Sequence, residues 1–254
     1  MAEILVDSIT VQFPIFDVNA RSLRKELMRM STGGRIQTDV DDHVVITALE
    51  NVSFTLREGD RLGIIGPNGA GKSTLLRAIA GIYEPHRGRI CVRGRVAPLF
   101  DITLGMDSDA TGYENIKIRG LFLQMTPAQI KEHASDIVAF SELGSYMNMP
   151  IRTYSTGMRV RLAFAIATAQ PSDILLFDEM IGAGDAKFID RAQERLERFL
   201  GRARIVVIAS HSDEIIRRMC NKAMLLDHGK LIGIDSVDEI LKAYASLIAT
   251  RASD

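Results

Sequence analysis

The chain has 254 residues, 46% of them hydrophobic and 25% charged, with a formal net charge of −1. That is enough apolar material for one large domain or a domain with a subdomain, and the near-zero charge excludes the global basic field that would draw nucleic acid. No apolar run approaches the ~18 to 20 residues of a membrane span.

Met1-Ala2-Glu3-Ile4 lacks the basic-then-apolar pattern of a signal peptide, so a cytosolic chain is expected. Cys91 and Cys220 share no metal spacing and read as small buried residues in a reducing compartment. The loose alternation of Ile4 to Val11, with Val6 and Ile9, predicts an edge strand. Phe13 and Phe16 follow it; either can pack in the core, and Phe13 is the candidate to stack on a nucleobase.

Asn19 can cap a helix in which Leu23, Leu27 and Met30 repeat on one side while Arg21, Arg24, Lys25 and Arg29 line the other. Such a basic amphipathic helix suits either a solvated surface or contact with an anionic membrane face. A polar linker, Gly33 to Asp42, comes next. Val44 to Leu49, Val52 to Leu56 and Leu62 to Ile65 then read as short strands of an antiparallel layer, separated by turns at Glu50-Asn51 and Glu58-Gly59-Asp60.

Gly66-Pro67-Asn68-Gly69-Ala70-Gly71-Lys72-Ser73-Thr74 stands between the last of these runs and the helical pattern Leu75 to Ala80. Glycines at these places let successive N–H groups and the positive end of the helix dipole converge on one anion. Lys72 can reach terminal phosphates and Ser73 can offer a hydroxyl to Mg²⁺, so a nucleoside triphosphate is the expected ligand.

Gly88 to Pro98 carries two more strands around Arg93-Gly94. From Thr111 the periodicity becomes helical, and Thr126-Pro127-Ala128-Gln129 combines a capping residue, Pro at the first helical position and Gln at the third, predicting a helix over Pro127 to Phe140. Tyr154-Ser155-Thr156-Gly157-Met158 precedes a helix, Ile174 to Phe177 is an apolar strand ending at Asp178-Glu179, Gly184-Asp185 opens a further helix, and Ile205 to Ala209 is a strand ending at Ser210-His211. Asp178, at the end of a buried strand, suits Mg²⁺; Glu179 beside it is the candidate general base, and His211 a candidate contact for the γ-phosphate. Asp227-His228-Gly229-Lys230 reads as a hairpin turn, and Ser236 with Glu239 as a capping box for a last helix over Val237 to Ala249.

These motifs, in this order, resemble the nucleotide-binding subunit of an ATP-binding cassette (ABC) transporter from about Ile4 to Ser236. The resemblance implies an α/β fold, a P-loop NTPase of the ABC-ATPase type with a mixed sheet core, an antiparallel β layer and a helical subdomain. It implies one nucleotide-binding domain over 1–254, with the helical subdomain at about 100–168, the basic insertion at about 19–42 and the final helix at 237–249. ATP and Mg²⁺ are the implied cofactors. Two copies would stack head to tail, each ATP lying between Gly66 to Thr74 of one and Ser155, Thr156, Gly157 and Met158 of the other, with Asp185 also at the nucleotide.

Departures from the commonest pattern point to a subgroup. The signature reads Tyr-Ser-Thr-Gly-Met, Asp101 stands where a glutamine usually bridges Mg²⁺ and the membrane subunit, and Met180 to Asp185 replaces the usual loop. Together with Thr111-Gly112-Tyr113-Glu114-Asn115 and the basic insertion, this resembles ATPases that export lipid-linked polysaccharides such as O antigen, capsule or teichoic acid. The implied partners are a second copy, integral membrane permease subunits and the lipid-linked glycan, at the cytoplasmic face of the cell membrane. A carboxy-terminal glycan-recognition module is not expected. An importer or drug-exporter subunit is the rival within transport. A soluble DNA-repair ATPase would need heptad arms or a basic face, and a translation-associated one two cassettes.

Overall fold

The computed structural model describes residues 1–14, 36–38, 44–100, 102–178 and 186–253. The helix expected over Asn19 to Met30 lies outside the described residues, as do Phe16, Asp101, Glu179 and Asp185. The chain divides into two compact units, one made of 1–94, 177–179 and 204–254, the other of 95–176 and 180–203.

The first unit holds an antiparallel sheet of Glu3–Pro14 (β1), Ile36–Thr38 (β2), Val44–Arg57 (β3) and Arg87–Arg93 (β5), in the order β2-β3-β1-β5. β1 is therefore an interior strand, not the expected edge. Its buried side chains are Ile4, Val6, Ile9 and Val11, and the step from Val6 to Ile9 is one residue too long for strict alternation. Ser8, at φ 51°, absorbs the extra residue as a bulge. Asn51, at φ 50°, does the same in β3, keeping Leu49 and Val52 on one buried face. The two bulges answer each other: Ser8 N–H donates to Ser53 Oγ (2.7 Å) and Asn51 N–H to Thr10 Oγ1 (3.3 Å). Glu50-Asn51 is thus a bulge inside one long strand rather than a turn between two.

A second sheet in this unit places Lys230–Asp235 (β10), Lys222–Asp227 (β9), Arg61–Ile65 (β4) and Ile205–Ala209 (β8) side by side in that order. β4 runs parallel to both β8 and β9, while β9 and β10 form a hairpin, so the sheet is mixed. The expectation that Leu62 to Ile65 belongs to the antiparallel layer is corrected accordingly. β8 is buried along its whole length, as an apolar run of β-branched residues covered on both faces must be. The hairpin turns through His228 (φ 46°) and Gly229 (φ 79°), the two left-handed residues of a type I′ turn.

Among the described residues the first unit holds the helices Lys72–Ile79 (α1), Asp213–Met219 (α6) and Val237–Ser253 (α7). α7 runs past the expected Ala249, and its capping box is half made. Ser236 Oγ accepts from Glu239 N–H, but Ser236 N–H donates to Asp235, and Glu239 pairs with Lys242 instead.

Among its described residues the second unit contains Val96–Pro98 (β6), parallel to Ile174–Asp178 (β7) over Ile174 to Leu176, and the α-helices Gly112–Phe122 (α2), Pro127–Ser141 (α3), Thr156–Ala167 (α4) and Ala186–Arg202 (α5). Its core is built on α4, where Leu162 to Ala167 are all buried. Phe164, Phe140 and Phe188 meet there at centroid distances of 5.6 to 6.2 Å, edge or tilted contacts that the ring quadrupole favours. Arg119 is buried with its guanidinium 5.5 Å from the Phe122 ring. Burial lowers its pKa to about 10, so it stays cationic at neutral pH.

α3 begins where its caps predict. Thr126 Oγ1 accepts from Gln129 N–H (3.3 Å) and Gln129 Oε1 accepts from Thr126 N–H (2.9 Å). Thr126→Ala removes the first of these bonds, and we expect it to cost about 1 kcal/mol, lowering Tm by roughly 2 to 4 °C in a thermal melt. An unchanged melt would mean that α3 is held by its buried face alone.

Candidate functional site

The phosphate loop leaves β4 at Ile65 and ends in α1, so it sits at the carboxyl end of a parallel strand, where open α/β sheets bind ligands. A Cβ built on Gly66 would run into the Leu226 carbonyl oxygen of β9, well inside van der Waals contact. Asn68 and Gly69 are exposed at the tip, while Gly66, Ala70 and Lys72 are buried. α1 has Gly71 as its N-cap, with no side-chain cap and no acid in its first turn. No capping side chain therefore competes with an anion for its leading N–H groups.

Lys72 folds back over the loop, and its Nζ donates to the Gly66 carbonyl (2.7 Å) and the Pro67 carbonyl (3.1 Å). Ser73 Oγ donates to Asp178 Oδ2 at 2.7 Å, across 105 positions of sequence. Hydroxyl and carboxylate thus meet beside the loop, an arrangement suited to a small hard divalent cation. Among the described residues no three His, Cys, Asp or Glu cluster to hold a metal by themselves. A cation here would complete its shell with phosphate oxygens and water.

The other expected residues fall as follows. His211 is exposed immediately beyond β8, with Ser212 capping α6 behind it. Phe13 stands opposite Ile46 near the end of β1, partly buried, with its ring edge-on to Tyr83 at 5.1 Å. Ser155 to Met158 open α4 in the second unit, where Ser155 Oγ accepts from Met158 N–H (3.2 Å). Among the described residues a Cβ on Gly157 would meet only Ser155 Oγ, at 3.9 Å. Asp101, Glu179 and Asp185 lie outside the described residues.

The cysteines contradict part of their reading. Cys91 is exposed on β5, and Cys220 is partly buried. Desolvation pushes the Cys220 thiol up to about 12 against the opposing charge of Arg61, leaving it a thiol at neutral pH.

Residues 49–182 match the family model described as ABC transporter. The chain belongs to that family. It is therefore a nucleotide-binding ATPase of the ABC type. It is 44% identical over 238 residues to the O-antigen export system ATP-binding protein RfbE of Yersinia enterocolitica, covering 94% of this chain and 99% of that one. It is 38% identical to RfbB, the O-antigen export system ATP-binding protein of Myxococcus xanthus, over 90% of this chain but 52% of that protein. It is also 35% identical to the teichoic acids export ATP-binding protein TagH of Bacillus cereus, over 82% of this chain and 38% of the relative. The chain thus spans nearly all of the first and about half or less of the other two.

Among solved structures, an ATP-binding subunit of an ABC transporter superposes with a TM-score of 0.67 at 19% identity, covering 95% of this chain and 93% of that one. A dimeric ATP-binding cassette in a post-hydrolysis state with ADP and phosphate gives 0.64 at 20% identity, covering 92% and 98%. At that identity the likeness shows the ABC ATPase fold. Among the described residues no helix is long and apolar enough to cross a membrane.

Proposed function

We propose that this ABC ATPase powers export of a lipid-linked polysaccharide through a separate membrane permease, from the cytoplasmic face of the membrane. The observation that carries the reading is the 44% identity to an O-antigen export ATPase over 94% of the chain. The teichoic acid relative supports the same class of cargo. In the second unit Leu104, Ile118, Leu121 and Phe122 are exposed apolar side chains, which suits a partner surface. Co-purification from membranes tests the reading. The chain should come down with a multi-span permease and a glycan on a lipid carrier; recovery with a solute-importing permease instead would overturn it.

MgATP is the proposed ligand. Ser73 and Asp178 fit Mg²⁺, which takes few protein oxygens and keeps phosphate and water in the rest of its shell; when bound, the ion neutralises phosphate charge. Lys72 and the leading N–H groups of α1 bind the β- and γ-phosphates. Glu179 accepts the proton of the attacking water, and His211 holds the γ-phosphate end. Phe13 is the aromatic proposed for the adenine, and Asp101 and Asp185 complete the set at the metal and nucleotide.

Two copies form the working unit, the α4 N-terminus of one closing over the phosphates of the other. Gly157→Asp isolates this step, because the open space around Gly157 admits a side chain while the new carboxylate faces phosphate. The variant should fold and bind ATP like the parent, yet fail to dimerise with ATP in light scattering. Parental ATP-dependent dimerisation would remove Ser155 to Met158 from the shared site.

A further inference from the structure

A phosphate loop works only if its N–H groups are aimed, and a trans peptide holds its C=O and N–H in one plane, pointing in opposite directions. Fixing the carbonyl of one residue therefore fixes the direction of the next N–H. Within this loop the Pro67 carbonyl accepts from Ala70 N–H (3.1 Å) and from Lys72 Nζ, so loop and lysine restrain each other. The Ala70 carbonyl is different: it accepts from Gly229 N–H, at 2.9 Å, 159 positions away in the β9–β10 turn. The peptide so held is the one whose N–H belongs to Gly71, the N-cap of α1.

The turn is itself held by three contacts, two from Glu50 and one from Arg251. Its Gly229 carbonyl accepts from Glu50 N–H of β3 (2.9 Å). Lys230 Nζ lies 3.4 Å from Glu50 Oε2. Asp227, the last residue of β9, presents Oδ2 to Arg251 of α7 at 2.6 Å, while its Oδ1 is buried with no hydrogen-bond partner among the described residues. Room is lacking for anything larger: a Cβ on Gly229 would stand 2.6 Å from the Ala48 carbonyl oxygen, and one on Gly71 2.8 Å from the same oxygen.

We infer that the β9–β10 turn, through Gly229 and under the grip of Arg251 on Asp227, is a positioning element that aims the Gly71 N–H at the nucleotide phosphate. Asp227, Gly229 and Arg251 touch no nucleotide; they act through the Ala70–Gly71 peptide. The inference rests on the ATP-site reading and adds to it residues far from any phosphate-binding motif. It links the last helix of the chain to the phosphate loop by one ion pair and one backbone hydrogen bond.

The test uses the full chain with MgATP, measuring Kd, KM, kcat and Tm together. Arg251→Ala should raise Kd and KM for ATP about fivefold with a change in kcat of less than about twofold, and Arg251→Lys should return most of the affinity. Gly229→Ala, which must push the turn off Ala48, should raise Kd by more than about tenfold. Arg217→Ala serves as the control for a lost surface ion pair, since Arg217 pairs with Asp238 at the other end of α7 from Arg251. Its Kd should equal the parent's. If Gly229→Ala does not fold, Arg251→Ala and Arg251→Lys decide alone. Parental Kd and KM in Arg251→Ala, or an equal rise in Arg217→Ala, would overturn the inference while leaving the ATP site standing. Failure of the parent itself to bind MgATP would instead overturn the ATP-site reading, and this inference with it.

Discussion

Glu179→Gln is expected to lower the rate of ATP hydrolysis by about 10²- to 10⁴-fold while leaving ATP affinity close to the parent's. Asp178 is already engaged elsewhere, because its Oδ2 lies 2.7 Å from Ser73 Oγ, beside the first turn of α1, where a carboxylate serves the cation better than the water. On the proposed mechanism the proton of the attacking water goes to the next acid along the chain, Glu179. Glutamine keeps the size and hydrogen-bonding reach of Glu179 but cannot accept a proton, so binding survives and turnover does not. Steady-state phosphate release measured beside equilibrium ATP binding separates the two. Parental turnover would move the water-positioning role elsewhere, with His211, exposed at the end of β8, first in line.

Gly66→Ala should abolish ATP binding, and its contact with β9 makes the size of the effect plain. The added methyl would occupy the space of the Leu226 carbonyl oxygen, and that oxygen belongs to the backbone of β9, which pairs with β4 through Ile65↔Leu225. A flexible side chain could swing away; a paired strand cannot. Gly66 also has φ 154°, a region only glycine visits freely. Overpacking and backbone strain together place the cost at several kcal/mol, enough to threaten a whole domain. Calorimetry with MgATP and a thermal melt on the same sample should show no binding, a strongly lowered Tm, or both. A variant that melts and binds like the parent would mean that the β4–β9 register is more compliant than its hydrogen bonds imply.

Local signals in the sequence translated directly into structure where local physics decides. Thr126, Pro127 and Gln129 set the start of α3, and the glycines around Lys72 set a strand-to-helix turn, because capping and left-handed backbone are settled within a few residues. The strand-rich amino-terminal half was harder. β1 and β3 each carry one residue more than alternation allows, and only their mutual pairing, with Ser8 opposite Ser53 and Asn51 against Thr10, shows that Glu50-Asn51 is a bulge and not a turn.

The interior place of β1 likewise depends on which strands arrive on either side of it, β3 and β5, information that periodicity within one strand does not hold. Cys91 read as buried because cysteine usually is, whereas its strand, β5, is mostly exposed. At the site, type and spacing single out Lys72, Ser73 and Asp178, and the 2.7 Å bond between the last two brings together what the chain separates by 105 positions. The support behind the loop escaped for the opposite reason. Asp227-His228-Gly229-Lys230 announces a tight hairpin, but nothing local says that its free N–H will find Ala70.

The most direct measurement is the distribution of lipid-linked polysaccharide between the cytoplasmic leaflet and the cell surface, in cells where Lys72→Ala replaces the parent chain. If ATP held at the phosphate loop drives export, the glycan accumulates on its carrier at the cytoplasmic side and disappears from the surface. Parental amounts of surface polysaccharide, with no build-up inside, would contradict it.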